Sequence, residues 1–337
     1  MNMHSPTVSS PRPKPARPKA HATSTLAEFD RAITAIDIAG LLGMPVENVS
    51  RVLRHEDLEG LLYRELTTAE RTAWLQKARD ALTDDVLQRT GPERQARWQA
   101  GWQEVLDRVD RDGVSAESVM PQYFRHDTLR LNGRYIRVPD GTFEYRLHRA
   151  LCRVIFSRYV LGADRVVELG CGTGANLLLL RDMFPDTPLV GCDWAKSSQE
   201  IVTEIDAAKG NIAGANLDML TMEGADRLPV TADTAVVTLH ALEQLGNRFG
   251  PLLAFLMDAG PRICVHLEPI AELYDPNNEF DSVALEYHNK RNYLSGFLTE
   301  LRELENAGRV EILAARRTGF GSPFQEAYSL IVWRPTV

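Results

Sequence analysis

The strongest constraint on this chain is the alternation that begins at Arg165. Short apolar runs near residues 165–169, 188–192, 212–217, 234–239, 262–268, 309–316 and 328–334 are separated by segments with helical spacing. Such alternation implies a mainly parallel sheet with helices on both faces, because each crossover helix covers the strands it joins. Only Thr318-Gly319-Phe320-Gly321-Ser322-Pro323 separates the last two runs, with no helix between them. They read as an antiparallel hairpin at one edge. The expected fold class is therefore α/β, with a seven-stranded, mostly parallel sheet.

Ahead of this pattern the chain reads differently. Residues 1–24 carry Pro11, Arg12, Pro13, Lys14, Pro15, Arg17, Pro18 and Lys19 and no apolar core. They are expected to form a disordered tail rather than a signal peptide, because they cannot bury enough apolar surface to offset ordering entropy. Thr25-Leu26-Ala27-Glu28 has the form of a helix start, and amphipathic segments follow at about Thr67–Leu87 and Pro92–Val109. No strand-like alternation stands out up to Val119, so residues 25–140 are expected to be an all-α accessory domain, closed by a short hairpin turning at Asn132-Gly133. A helix over Phe143–Leu161 then opens the main domain, residues 141–337. The stretch Ile38–Leu53 has helix-turn-helix spacing. Two short helices packed within the accessory domain account for it more simply, and Glu47, Glu56 and Asp57 would repel phosphates.

Composition narrows the function. The 337 residues are 44% hydrophobic and 25% charged, as in an ordinary globular chain. No apolar run approaches the roughly 20 residues that span a bilayer. A net charge of −8 argues against a nucleic-acid partner and for a small-molecule one. Cys152, Cys171, Cys192 and Cys264 show no Cys-x-x-Cys spacing and sit in apolar or glycine-rich surroundings, which points to a reducing cytoplasm. A homodimer is compatible with everything above.

The run Glu168-Leu169-Gly170-Cys171-Gly172-Thr173-Gly174 follows a strand and precedes a helix, where exposed backbone N–H groups can meet a ligand. Alone, this spacing would also serve a dinucleotide. Asp193 ends the next strand about 20 residues on, where a carboxylate can accept from both ribose hydroxyls. Asn216-Leu217-Asp218-Met219 ends the third, where an acid can read an adenine amino group and a methionine can pack on the ring. Together these motifs resemble those of the class I S-adenosylmethionine-dependent methyltransferases, over roughly residues 140–337. The resemblance implies a Rossmann-like sheet with a reversed last strand and S-adenosylmethionine as cofactor. It also implies that Glu168, Gly170, Gly172 and Gly174 border the methionine part, that Asp193 and Trp194 take the ribose and adenine, and that Asp218 and Met219 take the adenine edge. Tyr145, on the preceding helix, would help hold the methionine end. Glycines closer together than in Gly-x-Gly-x-x-Gly, with the edge hairpin, argue against a dehydrogenase.

Substrates of open α/β sheets bind beyond the carboxyl ends of the strands. Here those ends carry Thr238-Leu239-His240-Ala241-Leu242-Glu243-Gln244 and Val265-His266-Leu267-Glu268-Pro269, with Tyr287-His288-Asn289-Lys290-Arg291 shortly after. Three readings fit. His240 lines the pocket; His240 or His266 is a general base for O- or N-methylation; or His240, Glu268 and His288 form a two-histidine, one-carboxylate site for zinc or non-heme iron. These segments, with Gly319–Pro323, are similar to the metal-dependent α-keto acid C-methyltransferases. That similarity implies methylation at the β-carbon of a 2-oxo acid, with the metal stabilising an enolate. Gln244 and Tyr293 are expected to line the pocket. His266 would be a base, an orienting group or core. Arg146 and Arg149 are expected either to bind a carboxylate or to lie on a solvated helix face. Trp98, Trp102, Met120 and Tyr123 are expected either to close the pocket or to pack in the core.

Overall fold

The computed structural model describes residues 28–83, 89–91 and 94–336. The basic stretch 1–24 and the first three residues of Thr25-Leu26-Ala27-Glu28 lie outside them, as do 84–87 of the first expected long helix and Pro92 of the second. The described chain begins with β1 (Arg31–Ala32), α1 (Ala35–Leu42), α2 (Val46–Val52), α3 (His55–Leu58), β2 (Leu62–Glu65), α4 (Thr68–Thr83) and α5 (Gln95–Asp112). Thr34 starts α1 with a capping box: its hydroxyl accepts from the Asp37 N–H, and the Asp37 carboxylate accepts from the Thr34 N–H at 2.8 Å. The hairpin β3 (Thr128–Leu131) and β4 (Arg134–Arg137) turns at Asn132-Gly133, both at positive φ.

The sequence predicts only helices before this hairpin, and the structure corrects that. Strand β1 pairs with β2, β2 with β4, and β3 with β11 (Phe320–Gly321), giving a five-stranded sheet in the order β1-β2-β4-β3-β11. Strands of two and four residues are too short to show a period of two. They form because distant partners supply their hydrogen bonds. Helices α1 and α2 bury Ile38, Leu41, Leu42 and Val49, the packed-pair arrangement.

The main sheet then follows: α6 (Thr142–Tyr159), β5 (Arg165–Leu169), α7 (Ala175–Met183), β6 (Leu189–Asp193), α8 (Lys196–Lys209), β7 (Ile212–Asn216), β8 (Thr234–Leu239), α9 (Gly250–Ala259) and β9 (Ile263–Glu268). It closes with α10 (Glu279–Arg291), α11 (Phe297–Asn306), β10 (Val310–Arg316) and β12 (Ser329–Pro335). Strand order is β10-β12-β9-β8-β5-β6-β7, parallel except for β12, which runs antiparallel to both neighbours. The expected Rossmann-like sheet with an antiparallel edge hairpin is therefore present, and β11 interrupts the hairpin connection to reach the second sheet.

Alternate residues of each strand serve opposite faces. Val166, Val237 and Val265 join a cluster with α6, α7 and the N-terminal region, while Val167, Val236 and Cys264 join one with α9 and α11. The first cluster runs without a break from Ile33 to Val332, so the N-terminal region shares the core of the main sheet. All four cysteines are buried and free. Among the described residues no helix is long and apolar enough to cross a membrane.

Arg317 fastens the β10–β11 connection to α10. Its guanidinium donates to both Asp281 oxygens at 2.5 Å and to both Glu326 oxygens at 2.5 and 2.7 Å. Both carboxylates are buried, so removing the cation strands two charges. Arg317→Ala should lower the unfolding free energy by roughly 3 kcal/mol in urea titration; a loss below about 0.5 kcal/mol, the range of an ordinary surface change, would contradict this account.

Candidate active site

The carboxyl ends of β5, β6 and β8 and the segment after β7 border one cleft of about 410 Å³, roofed by α5 and the start of α6. On one side the glycine turn bends at Gly170, Gly172 and Gly174, all at positive φ, a region that favours glycine. A Cβ on Gly170 would fall 2.4 Å from the Ala241 Cβ, one on Gly172 3.1 Å from the Trp102 ring, and one on Gly174 2.4 Å from Ile205 Cδ1. The first two would crowd the cleft, and the third would push α8 off the turn. Asp193 locks this geometry, since its two carboxylate oxygens accept from the Gly172 and Ala195 N–H groups, each at 2.9 Å. Burial pushes the Asp193 pKa up to about 6 against those bonds.

Trp194, Asp218, Met219 and Tyr145 line the same cleft. Asp218 shapes its own turn by accepting from Leu220 N–H at 2.8 Å, and the Tyr145 hydroxyl donates to the Ala116 carbonyl at 3.0 Å. Glu168 differs from expectation. It is wholly buried below the turn and reaches the cleft only through Asn176, whose amide donates to it at 2.7 Å. Burial raises its pKa to about 8. An open cleft with glycine backbone, strand-end acids and flat apolar walls fits the nucleoside and amino-acid parts of the cofactor implied by the sequence.

On the other side, β8 is followed at once by His240, which adopts φ 58°, a left-handed conformation costing about 1–3 kcal/mol for a residue with a side chain. Its ring stands edge-on to Tyr328, with centroids 4.6 Å apart, and 5.9 Å from His148. Nδ1 lies 3.9 Å from the Glu243 carboxylate, ion-pair rather than hydrogen-bond distance, while Nε2 is buried without a protein partner. Burial acts to lower the His240 pKa, but Glu243, with Glu268 and Glu144 behind it, outweighs this and holds it above the ordinary histidine value.

The expected ligand trio does not converge. Glu268 turns its carboxylate into the backbone, accepting from Ala241 and Leu242 N–H at 3.0 and 3.1 Å and from Glu243 N–H at 3.2 Å. Burial raises its pKa to about 7, against the pull of the His240 charge. His288 is buried on α10 and gives its Nε2–H to the Leu294 carbonyl at 2.5 Å. Among the described residues no three His, Cys, Asp or Glu side chains gather as a metal set. The residues assigned to zinc or iron therefore do not fit that role.

His266 is also corrected, from base to core. It sits mid-sheet, wholly buried, with Nε2 accepting from the Trp333 indole and Nδ1 against the Thr238 hydroxyl, both at 2.9 Å. Indole N–H only donates, so the ring proton resides on Nδ1. Burial depresses its pKa to about 3. Gln244 and Tyr293 line the cleft as expected, as do Trp98, Trp102 and Tyr123, whereas Met120 packs on the core. Arg146 and Arg149 do not line it: Arg146 bonds the Glu59 carbonyl and Arg149 the Tyr145 hydroxyl. Sequence reasoning missed Arg94, Glu144, His148 and Tyr328, which do line it. They come from three segments: Arg94 before α5, Glu144 and His148 four residues apart on α6, and Tyr328 before β12; the helical spacing of Glu144 and His148, with Tyr145 between them, was the one local signal.

No protein-family model matches the chain, and no curated protein matches it. Among solved structures the chain is similar to the pyocyanin biosynthetic protein PhzM, at 14% identity over 57% of this chain and 58% of that one, with a TM-score of 0.40. The chain thus spans less than two thirds of PhzM. It is also similar to the CurJ carbon methyltransferase, at 13% identity over 78% and 71% of the two chains (TM-score 0.41). A third is the N,N-8-amino-8-demethyl-D-riboflavin dimethyltransferase RosA from Streptomyces davawensis, at 13% identity over 91% and 90% (TM-score 0.38).

The two roles for Glu268 are separable. In Glu268→Gln the amide nitrogen cannot accept, so at least one of three buried N–H groups loses its partner, and stability should fall by about 2 kcal/mol in urea titration. Unchanged stability with a loss of bound zinc or iron would return Glu268 to the ligand set.

Proposed function

We propose that this chain is a class I S-adenosylmethionine-dependent methyltransferase of a small acceptor, with His240 as general base. The observation that carries the reading is the state of that ring: Nδ1 faces Glu243, which favours the proton there, and leaves Nε2 as a buried, unpartnered acceptor on a ring that lines the cleft. Backbone at Gly170 and Gly172 would border the methionine part of the cofactor, Asp193 and Trp194 the ribose and adenine, and Asp218 and Met219 the adenine edge. When bound, that cofactor supplies a sulfonium-activated methyl group. His240 takes a proton from the acceptor atom, and Glu243 stabilises the resulting imidazolium. The buried rings of His148 and Tyr328 shield the His240 ring from bulk water.

Two kinds of acceptor need such a base: an O–H or N–H group, and the β-carbon of a 2-oxo acid, which becomes nucleophilic only on losing a proton. The second is the finer reading taken from the sequence. With Glu268 and His288 engaged elsewhere, its deprotonation falls to His240 rather than to a metal-held enolate.

Incubation with methyl-labelled cofactor and a panel of 2-oxo acids, phenols and amines, read by mass spectrometry, tests the reaction and places the new methyl. No methyl gain on any acceptor would overturn it. His240→Ala should lower kcat roughly 100- to 10,000-fold while leaving cofactor affinity unchanged; a kcat within twofold of wild type would remove the base assignment.

The pH profile adds an independent check. The base works when neutral, and its pKa is raised, so kcat/KM should climb with pH through a midpoint above the ordinary histidine value. Glu243→Gln removes the charge that raises it, so the midpoint should move down. An unmoved midpoint would detach Glu243 from His240.

A further inference from the structure

Among the described residues, two arginines at one end of the cleft form no ion pair and have the Glu243 carboxylate as a more distant neighbour. Arg94, at the start of α5, and Arg291, at the end of α10, are each 7% exposed and both line the cleft. Among the described residues neither forms an ion pair, and the Nε of each is buried without a partner. Their remaining contacts are neutral. Arg94 donates to the Gln244 side-chain oxygen at 3.3 Å and lies 5.0 Å from the Trp98 ring, and Arg291 donates to the Tyr293 hydroxyl at 3.1 Å. The two are close enough for burial and the charge of Arg291 together to lower the Arg94 pKa. Buried guanidinium groups left unpaired are costly, so this arrangement is built for an anion that arrives with a ligand.

We infer that Arg94 and Arg291 form the subsite for a carboxylate on the methyl acceptor, in place of the metal chelation expected from the sequence. Charge selects the class. Two guanidinium groups face one nearby carboxylate, Glu243, so a monoanion balances the end of the cleft, whereas a phosphate dianion would be repelled by Glu243. Guanidinium also matches carboxylate geometry with paired N–H donors. The subsite connects to the base through side chains: Arg94 binds Gln244, and Gln244 donates to Glu243 at 2.7 Å, beside His240. A carboxylate held by the arginines therefore lies in the same cleft as the proton-accepting Nε2. Arg146 and Arg149, the arginines singled out from the sequence, are outside it.

This inference rests on the reading of the cleft as an acceptor site, but its test does not need turnover. Trp98 lies against Arg94, so its fluorescence reports an anion bound there. Titration of the wild-type chain with 3-phenylpropanoate, 3-phenylpropanamide and inorganic phosphate should give a saturable change with the carboxylate. The amide and phosphate should bind at least tenfold more weakly. Arg94→Gln and Arg291→Gln should each weaken the carboxylate at least tenfold and leave the amide unchanged, with Arg302→Gln, at an exposed position on α11 outside the cleft, as control. Equal binding of acid and amide by the wild type overturns the inference even if no variant folds, and so does tighter binding of phosphate. Where turnover is found, each variant should raise KM for acid acceptors and leave cofactor affinity alone. A loss of cofactor affinity instead would assign the pair to the cofactor's own carboxylate and overturn the acceptor subsite. A chain that binds the carboxylate but methylates nothing would overturn the proposed function and leave the subsite standing.

Discussion

A buried carboxylate sets the geometry of the reacting side of this molecule. Glu268, at the end of β9, accepts from three successive backbone N–H groups, those of Ala241, Leu242 and Glu243. Those donors sit at the start of the turn after β8, where no helical partner is available to them. The same three bonds fix the strained His240 immediately before the turn and place Glu243 beside its ring. They also hold Ala241 against Gly170, so close that a methyl group on the glycine would collide with it. One acid thus joins the two halves of the cleft, the glycine turn and the histidine.

The opposite side is organised by the same device on another strand. Asp193, at the end of β6, accepts from Gly172 and Ala195 and so fixes the turn around which the cleft opens. Strand-end acids that bind backbone keep loops at the sheet edge in place without a helix cap or a metal. The charges left over are then free to face ligands, and Arg94, Arg291 and the His240–Glu243 pair are among those in the cleft wall.

Much of this was legible in the sequence. The seven strand segments were placed to within one or two residues, because the buried central strands leave continuous apolar runs that helices interrupt, and the more exposed edge strands β7 and β10 directly follow helices α8 and α11. The edge reversal followed from the missing helix before β12. Gly170, Gly172, Gly174, Asp193, Asp218 and Met219 were legible because their spacing is local to one turn or one strand end. The second sheet was not. Its two- and four-residue strands β1 and β2 carry no period, and its last strand, β11, comes from nearly 200 residues beyond β3.

The sequence by itself determined the α/β class, the strand boundaries and the residues on the glycine-turn side of the cleft, since all three depend on periodicity and short-range spacing. Only the tertiary structure decided what the polar side chains do. His240, Glu268, His266 and His288 look alike as candidates in the sequence, three at or near a strand end and His288 in a polar run further on. Folding gives Glu268 to the backbone, His266 to Trp333 and Thr238, and His288 to the Leu294 carbonyl. His240 alone among them keeps a nitrogen free inside the cleft. Arg94 and Arg291, 197 residues apart, acquire a joint role only when the start of α5 and the end of α10 border the same cleft. A hydrogen-bond partner is a property of three-dimensional proximity, and sequence spacing does not encode it beyond a turn or two.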